Sequence, residues 1–251
     1  MDLQYFLGIV STLALLSPVV ILLMMGLYKH KVYGALLIYC FLAFIYSLMT
    51  ENIINTPIRF ERFFAYTYNL LDVPLIMTFL LLFAKSNRQR RLMTRLTGLY
   101  LLYEIIVVIA MRALNKDTIA ITMGPGLAMV LIFCTLFFMH RIKIATTYQK
   151  AIGKAIIISA ILFAYVCFSY IYVIHYIIQL NAVADAFLLY YLVAIIYNIT
   201  LTIGLVIEKK RVRKLDELLV TRKELTEIFA QDPKTKPAIS NNETADSWRF
   251  N

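Results

Sequence analysis

Asp72 lies at the middle of an apolar run from about residue 63 to residue 84, within Tyr66-Thr67-Tyr68-Asn69-Leu70-Leu71-Asp72-Val73-Pro74. A run of that length crosses a bilayer as a helix. A carboxylate at its centre costs about 3 kcal/mol on insertion scales, which marks it as a functional-site candidate. Tyr68 and Asn69 precede Asp72 by four and three residues, so the three share one helical face. Glu104 occupies the centre of a second run, with Thr97 and Tyr100 at helical spacing before it and Tyr103 beside it. At ~1.5 Å per residue both acids fall within about one turn of mid-membrane. No lysine or arginine shares that layer. Two carboxyls in a low-dielectric layer cannot both carry charge cheaply, so the pair calls for a proton, a cation or a cationic ligand. Three uses fit: hydrogen-bonded glue between helices, a ligand or ion site, and a proton relay.

Other runs carry polar stripes at the same spacing. One offers Tyr165, Ser169, Tyr172, His175 or Tyr176, and Gln179; another offers Tyr191, Asn198 and Thr202; a third ends in Ser47, Thr50 and Glu51. The expected ligand-binding set is Asp72, Glu104, Asn69, Asn198, Tyr68, Tyr100, Tyr172 and His175. His175 read alone is a packed, hydrogen-bonded histidine. Tyrosines close to span ends are headgroup anchors.

Familiar catalytic chemistry is missing. The three histidines are scattered, no His-Glu-x-x-His occurs, and Cys40, Cys134 and Cys167 lie inside apolar runs without zinc-type spacing. There is no Gly-x-Ser-x-Gly elbow and no Walker loop. The first lysine after the start of the last run is Lys209, at its far end, which does not support a retinal-type Schiff base. Neither an enzyme nor a cofactor is expected.

The elements that must hold these residues are legible from hydropathy. The chain has 251 residues, 61% hydrophobic and 16% charged, with a mean hydropathy of +0.74. Soluble domains carry about a quarter charged residues. Seven spans are predicted, over 3–28, 33–52, 63–84, 96–113, 119–139, 154–180 and 185–207. The fold class is therefore an all-α, polytopic integral membrane protein, a seven-transmembrane-helix bundle. Gly124-Pro125-Gly126 reads as a break at the outer end of the fifth span. The first span lacks a basic leader and reads as a retained helix.

The net charge of +10 is topological, not a nucleic-acid footprint. Of 25 basic residues, all but Arg59, Arg62, Arg112 and Lys116 fall on the side of the loops after spans one, three and five and of the tail. The positive-inside rule then places the N-terminus outside and the C-terminus in the cytoplasm. Residues 1–207 form the membrane domain. Residues 208–231 form a basic amphipathic helix, either an interfacial extension of the last span or a dock for a cytoplasmic protein. Asp232-Pro233 ends it, and 232–251 reads as a disordered polar tail. Compact size and short loops suggest a bacterial inner membrane.

A weak internal echo pairs Phe44-Ile45-Tyr46 with Tyr170-Ile171-Tyr172, and Tyr68-Asn69 with Tyr197-Asn198, at offsets of 126 and 129 residues. It corresponds to a three-plus-one-plus-three helix arrangement of the kind found in some small transporters. The leading expectation is a sensor- or receptor-like protein that binds a small ligand or cation at a mid-membrane, acidic, tyrosine-lined site. A proton-coupled solute transporter is the alternative. The expected partners are the lipid bilayer, a small ligand or proton, and a cytoplasmic protein at the tail helix.

Overall fold

A computed structural model describes residues 3–84, 86–111, 116–148, 152–178 and 183–231. Among them the chain is all-helical, with no strand. The helices are α1 (Leu3–Met24), α2 (Lys31–Thr50), α3 (Ile58–Phe83), α4 (Asn87–Met111), α5 (Lys116–Tyr148), α6 (Ile152–Tyr172) and α7 (Val183–Gln231). A 3₁₀ turn (Leu27–Lys29) joins α1 to α2, and α6 runs on into a π-helical turn over Val173–Ile178. Seven helical segments are long and apolar enough to cross a membrane, as hydropathy predicts. Gln179 and the tail from 232 onward lie outside the described residues, as does Lys85; for Lys116, Asp185, Leu215, Ile228 and Phe229 only the backbone is described.

Six helices close into a ring. α1 packs between α2 and α7, α2 against α3, α3 against α5, α5 against α6, and α6 against α7. α4 stands outside that ring, on α3 and α5. The half of the bundle away from the N-terminus is filled with apolar side chains, including Leu22, Leu36, Ile76, Leu80, Ile158, Ile161, Leu201 and Leu205, each 0% exposed. Small residues set the closest approach. A Cβ on Gly153 of α6 would stand 2.7 Å from the backbone N of Glu208, and one on Gly204 of α7 would stand 3.1 Å from the backbone N of Ile157. The α6 and α7 backbones therefore touch, as small residues allow between membrane helices.

Several boundaries differ from the hydropathy reading. Arg88, Arg90 and Arg91 do not form a loop but start α4, which is helical from Asn87. Helix is set by backbone hydrogen bonding, which continues past the apolar stretch, so the span of about 96–113 understates it. α7 passes without a break from its apolar part into 208–231.

Gly124-Pro125-Gly126 does not break α5, which is continuous from Lys116 to Tyr148. Proline removes one amide and crowds the carbonyl four residues back, here Ile121. Three tyrosines compensate. Tyr103 Oη donates to Ile121 O (3.1 Å), Tyr100 Oη to Thr122 O (3.2 Å) and Tyr172 Oη to Ala120 O (2.7 Å). The flanking glycines make room for them: a Cβ on Gly126 would lie 2.5 Å from Tyr100 Oη, and one on Gly124 would lie 2.8 Å from Tyr172 Oη. Pro18 in α1 has the same remedy, since Ser17 Oγ lies 2.7 Å from Ala14 O and 2.8 Å from Thr202 Oγ1 of α7. Neighbouring hydroxyls replace the lost amides, which is how membrane helices tolerate proline.

Candidate functional site: a tyrosine-lined acidic cavity

The ring encloses a cavity of about 510 Å³ in the half of the bundle that carries the N-terminus. That size suits a small organic ligand. The described residues lining it come from α1, α2, α3, α5, α6 and α7, with none from α4. They include two carboxylates, Asp72 and Glu51, and the nine tyrosines 39, 46, 66, 68, 172, 176, 190, 191 and 197, but no lysine or arginine.

α3 presents Asp72 through the face shared with Tyr68 and Asn69. Tyr165 of α6, 1% exposed, donates its hydroxyl to Asp72 Oδ2 at 2.7 Å. Tyr39, Tyr68 and Tyr197 are within electrostatic reach of the same carboxylate. Glu51 is placed by the way α2 ends. Asn52 adopts the left-handed conformation (φ 54°), with Ile53 N donating to Leu48 O (3.0 Å) and Asn52 N to Met49 O (3.1 Å). This is the Schellman arrangement, with asparagine in the position that requires positive φ. Glu51 sits at the cap, and Tyr191 Oη of α7 donates to its Oε1 at 2.8 Å. Gly8 of α1 leaves the space: a Cβ there would stand 2.2–2.8 Å from the carboxylate atoms.

Each cavity asparagine donates one amide N–H to its own helix, Asn69 to Ala65 O (2.8 Å) and Asn198 to Ala194 O (2.7 Å). Asn198 is 1% exposed, and its Oδ1 is a buried acceptor with no hydrogen-bond partner among the described residues. Aromatic faces complete the wall. Tyr46 and Tyr68 stack at 4.7 Å between centroids, Phe168 and Tyr190 at 5.6 Å, and Tyr172 and Tyr176 lie tilted at 5.4 Å. The π-helical turn brings His175 and Tyr176 to the cavity, their rings edge-on at 4.9 Å. His175 is exposed. Extra-residue turns of this kind recur at functional sites.

Of the residues expected at a site, Asp72, Asn69, Asn198, Tyr68, Tyr172 and His175 line this cavity. Glu104 and Tyr100 do not; they project from α4 and are buried, 6% and 7% exposed. Tyr100 is engaged on α5, and Glu104 Oε1 has no hydrogen-bond partner among the described residues. The two acids are not members of one lining. Glu51, Tyr39, Tyr46, Tyr66, Tyr190 and Tyr191 are lining residues outside the expected set. The local signal for Glu51 is the polar stripe Ser47, Thr50 and Glu51 at the close of an apolar run.

The lining is rich in acceptors and aromatic faces, and poor in cations. It can hold a positively charged group against Asp72 or Glu51, with ring faces contributing about 0.5–2 kcal/mol each to a desolvated cation. Among the described residues no cluster of three or more His, Cys, Asp or Glu side chains could hold a metal ion. No protein-family model, curated protein or solved structure matches the chain. Fold and site therefore define a class, an all-helical chain with seven segments long and apolar enough to cross a membrane and an acidic, tyrosine-lined cavity among them.

Proposed function

We propose that this chain is a heptahelical membrane protein that binds a small organic cation in the cavity between α1–α3 and α5–α7, and that it acts as a sensor or receptor. The observation carrying this reading is the lining itself: two carboxylates, the Asn198 acceptor and nine tyrosines, with no lysine or arginine among the described residues. Charge balance favours a cationic guest over an anion, and a cavity of about 510 Å³ is far larger than a bare ion needs. The basic residues put the N-terminus outside and the C-terminus in the cytoplasm, so the cavity belongs to the outer half. The plasma membrane of a bacterium is the proposed setting.

Sensing is favoured by α7. It contributes Tyr190, Tyr191, Tyr197 and Asn198 to the lining and continues without interruption to Gln231. One continuous helix thus runs from the cavity to the basic segment 208–231, which is the proposed dock for a cytoplasmic protein. The test is isothermal titration of the purified protein with alkylammonium ions, matched neutral alcohols and carboxylates. Saturable binding of ammonium ions, weakened in Asp72→Asn, is expected. Equal affinity for the neutral analogues would remove the basis of the proposal.

A second reading is favoured by a different observation. With α4 outside the ring, the remaining helices fall into two sets of three, α1–α3 and α5–α7, as a repeat-built transporter requires. Reconstituted protein on a solid-supported membrane separates the two readings. A sustained, solute-evoked current that scales with a proton gradient makes it a transporter; binding without such a current keeps the sensor.

A further inference from the structure

At the end of the bundle away from the cavity, charge is carried inside. Arg141 of α5 is 2% exposed, Lys154 of α6 7% and Glu208 of α7 0%. Arg211, one turn beyond Glu208, is half in and half out, with 23% of its side chain exposed. Its guanidinium takes both oxygens of Glu208, with Nε at 3.0 Å from each. Arg141 Nη2 donates to Phe83 O, at the end of α3, at 3.2 Å, and its guanidinium carbon stands 5.4 Å from the Phe83 ring centre. Lys154 Nζ stands 5.4 Å from the same ring. Tyr33 of α2 is 4% exposed and within electrostatic reach of Arg141, Glu208 and Arg211.

Two features of this cluster point to a ligand. It gathers the basic side chains of Arg141, Lys154 and Arg211, from three helices, around Glu208. Two buried donors in it, Arg141 Nε and Tyr33 Oη, have no hydrogen-bond partner among the described residues. Buried charge is retained only where something compensates it, since taking a cation out of water costs several kcal/mol. A guanidinium fork offers paired donors of the spacing that oxyanions accept. The frame is stiff, because α6 and α7 touch backbone to backbone at Gly153 and Glu208.

We propose that Arg141, Lys154, Arg211 and Tyr33 form a binding site for a phosphate-class oxyanion, with the exposed edge of Arg211 as its way in. The oxyanion belongs either to an anionic lipid headgroup or to a free phosphate. The site shares no residue with the cavity and stands whether or not the cavity binds cations.

The test uses the full chain, purified in a neutral detergent and stripped of lipid. Unfolding temperature is followed while inorganic phosphate is added against sodium chloride of equal ionic strength, and while phosphatidylglycerol is added against phosphatidylcholine. A saturable rise on the order of 5 °C is expected with one or both anionic probes. A rise with phosphatidylglycerol alone assigns the headgroup; a rise with inorganic phosphate assigns a free anion. The rise should be lost in Arg141→Gln. Because that variant can fail to fold, amide exchange on the wild type supplies the location. Protection is expected at the α5 end and α6 start, around 138–158, and at 205–212. No saturable rise with either probe on the wild type overturns the proposal, and so does protection confined to other segments.

Discussion

Asp72 accepts from Tyr165 at 2.7 Å, and its carboxylate lines the cavity where a guest would meet it. A charge-assisted hydrogen bond contributes about 1.5–3 kcal/mol, so Asp72→Asn should weaken alkylammonium binding by about 10- to 100-fold. Glu51 closes α2 at its tip, where screening is stronger. Glu51→Gln should cost about 3-fold or less in the same titration. Glu104→Gln should leave affinity unchanged, because α4 contributes nothing to the described lining. An affinity loss in Glu104→Gln equal to that in Asp72→Asn would return the two acids to a single site. Asp72 is legible in the sequence because a charge inside a long apolar run has few structural excuses. Glu51 is legible only in part: Ser47, Thr50 and Glu51 close the polar stripe of the second span, but an acid at a span end is indistinguishable from an ordinary solvated one until the turn that aims it is known. Glu104 falls outside this lining because helical spacing tells which residues share a face, and nothing about which neighbour that face meets.

Helix ends and helix contacts decide the next scale. Gly126 accommodates Tyr100 and Val73 at distances where a Cβ would stand 2.5 and 2.8 Å from their nearest atoms. Overpacking of this kind costs about 1–3 kcal/mol. Gly126→Ala should therefore lower the unfolding temperature. Gly153→Ala should lower it further, because its Cβ would meet the Glu208 backbone, which cannot rotate away. A methyl added at Gly98 of α4 would meet nothing within 4 Å, so Gly98→Ala should be neutral or stabilising by up to about 1 kcal/mol. Thermal unfolding of the three variants in one detergent checks the order. The Gly-Pro-Gly sequence reads as a break because proline's missing amide is a local fact. The hydroxyls of Tyr100, Tyr103 and Tyr172 that keep α5 whole come from two other helices. The length of α7 is hidden likewise, since hydropathy registers where a helix stops being apolar and not where it stops being helical.

For the whole molecule, hydropathy predicts the number of spanning segments and leaves their arrangement open. The internal echo leaves the fourth span without a counterpart in the sequence, but that α4 stands outside the ring follows from which faces pack. Orientation is the molecular-scale property most open to a direct check. Asn55 and Ser86 are exposed at opposite ends of α3. In a background where Cys40, Cys134 and Cys167 are replaced by serine, Asn55→Cys should react with a membrane-impermeant maleimide on intact cells. Ser86→Cys should react only after lysis. The reverse pattern would invert the assignment of inside and outside.

The crowding of phenol rings around one cavity also gives the protein its own optical label. Seventeen tyrosines are present and one tryptophan, Trp248, which belongs to the polar tail. At least nine of those phenols face the cavity, so tyrosine emission and near-ultraviolet absorbance are weighted towards that volume. A Trp248→Phe form would leave phenol as the sole emitter, and a guest settling among the rings would register as a spectral change without any attached dye.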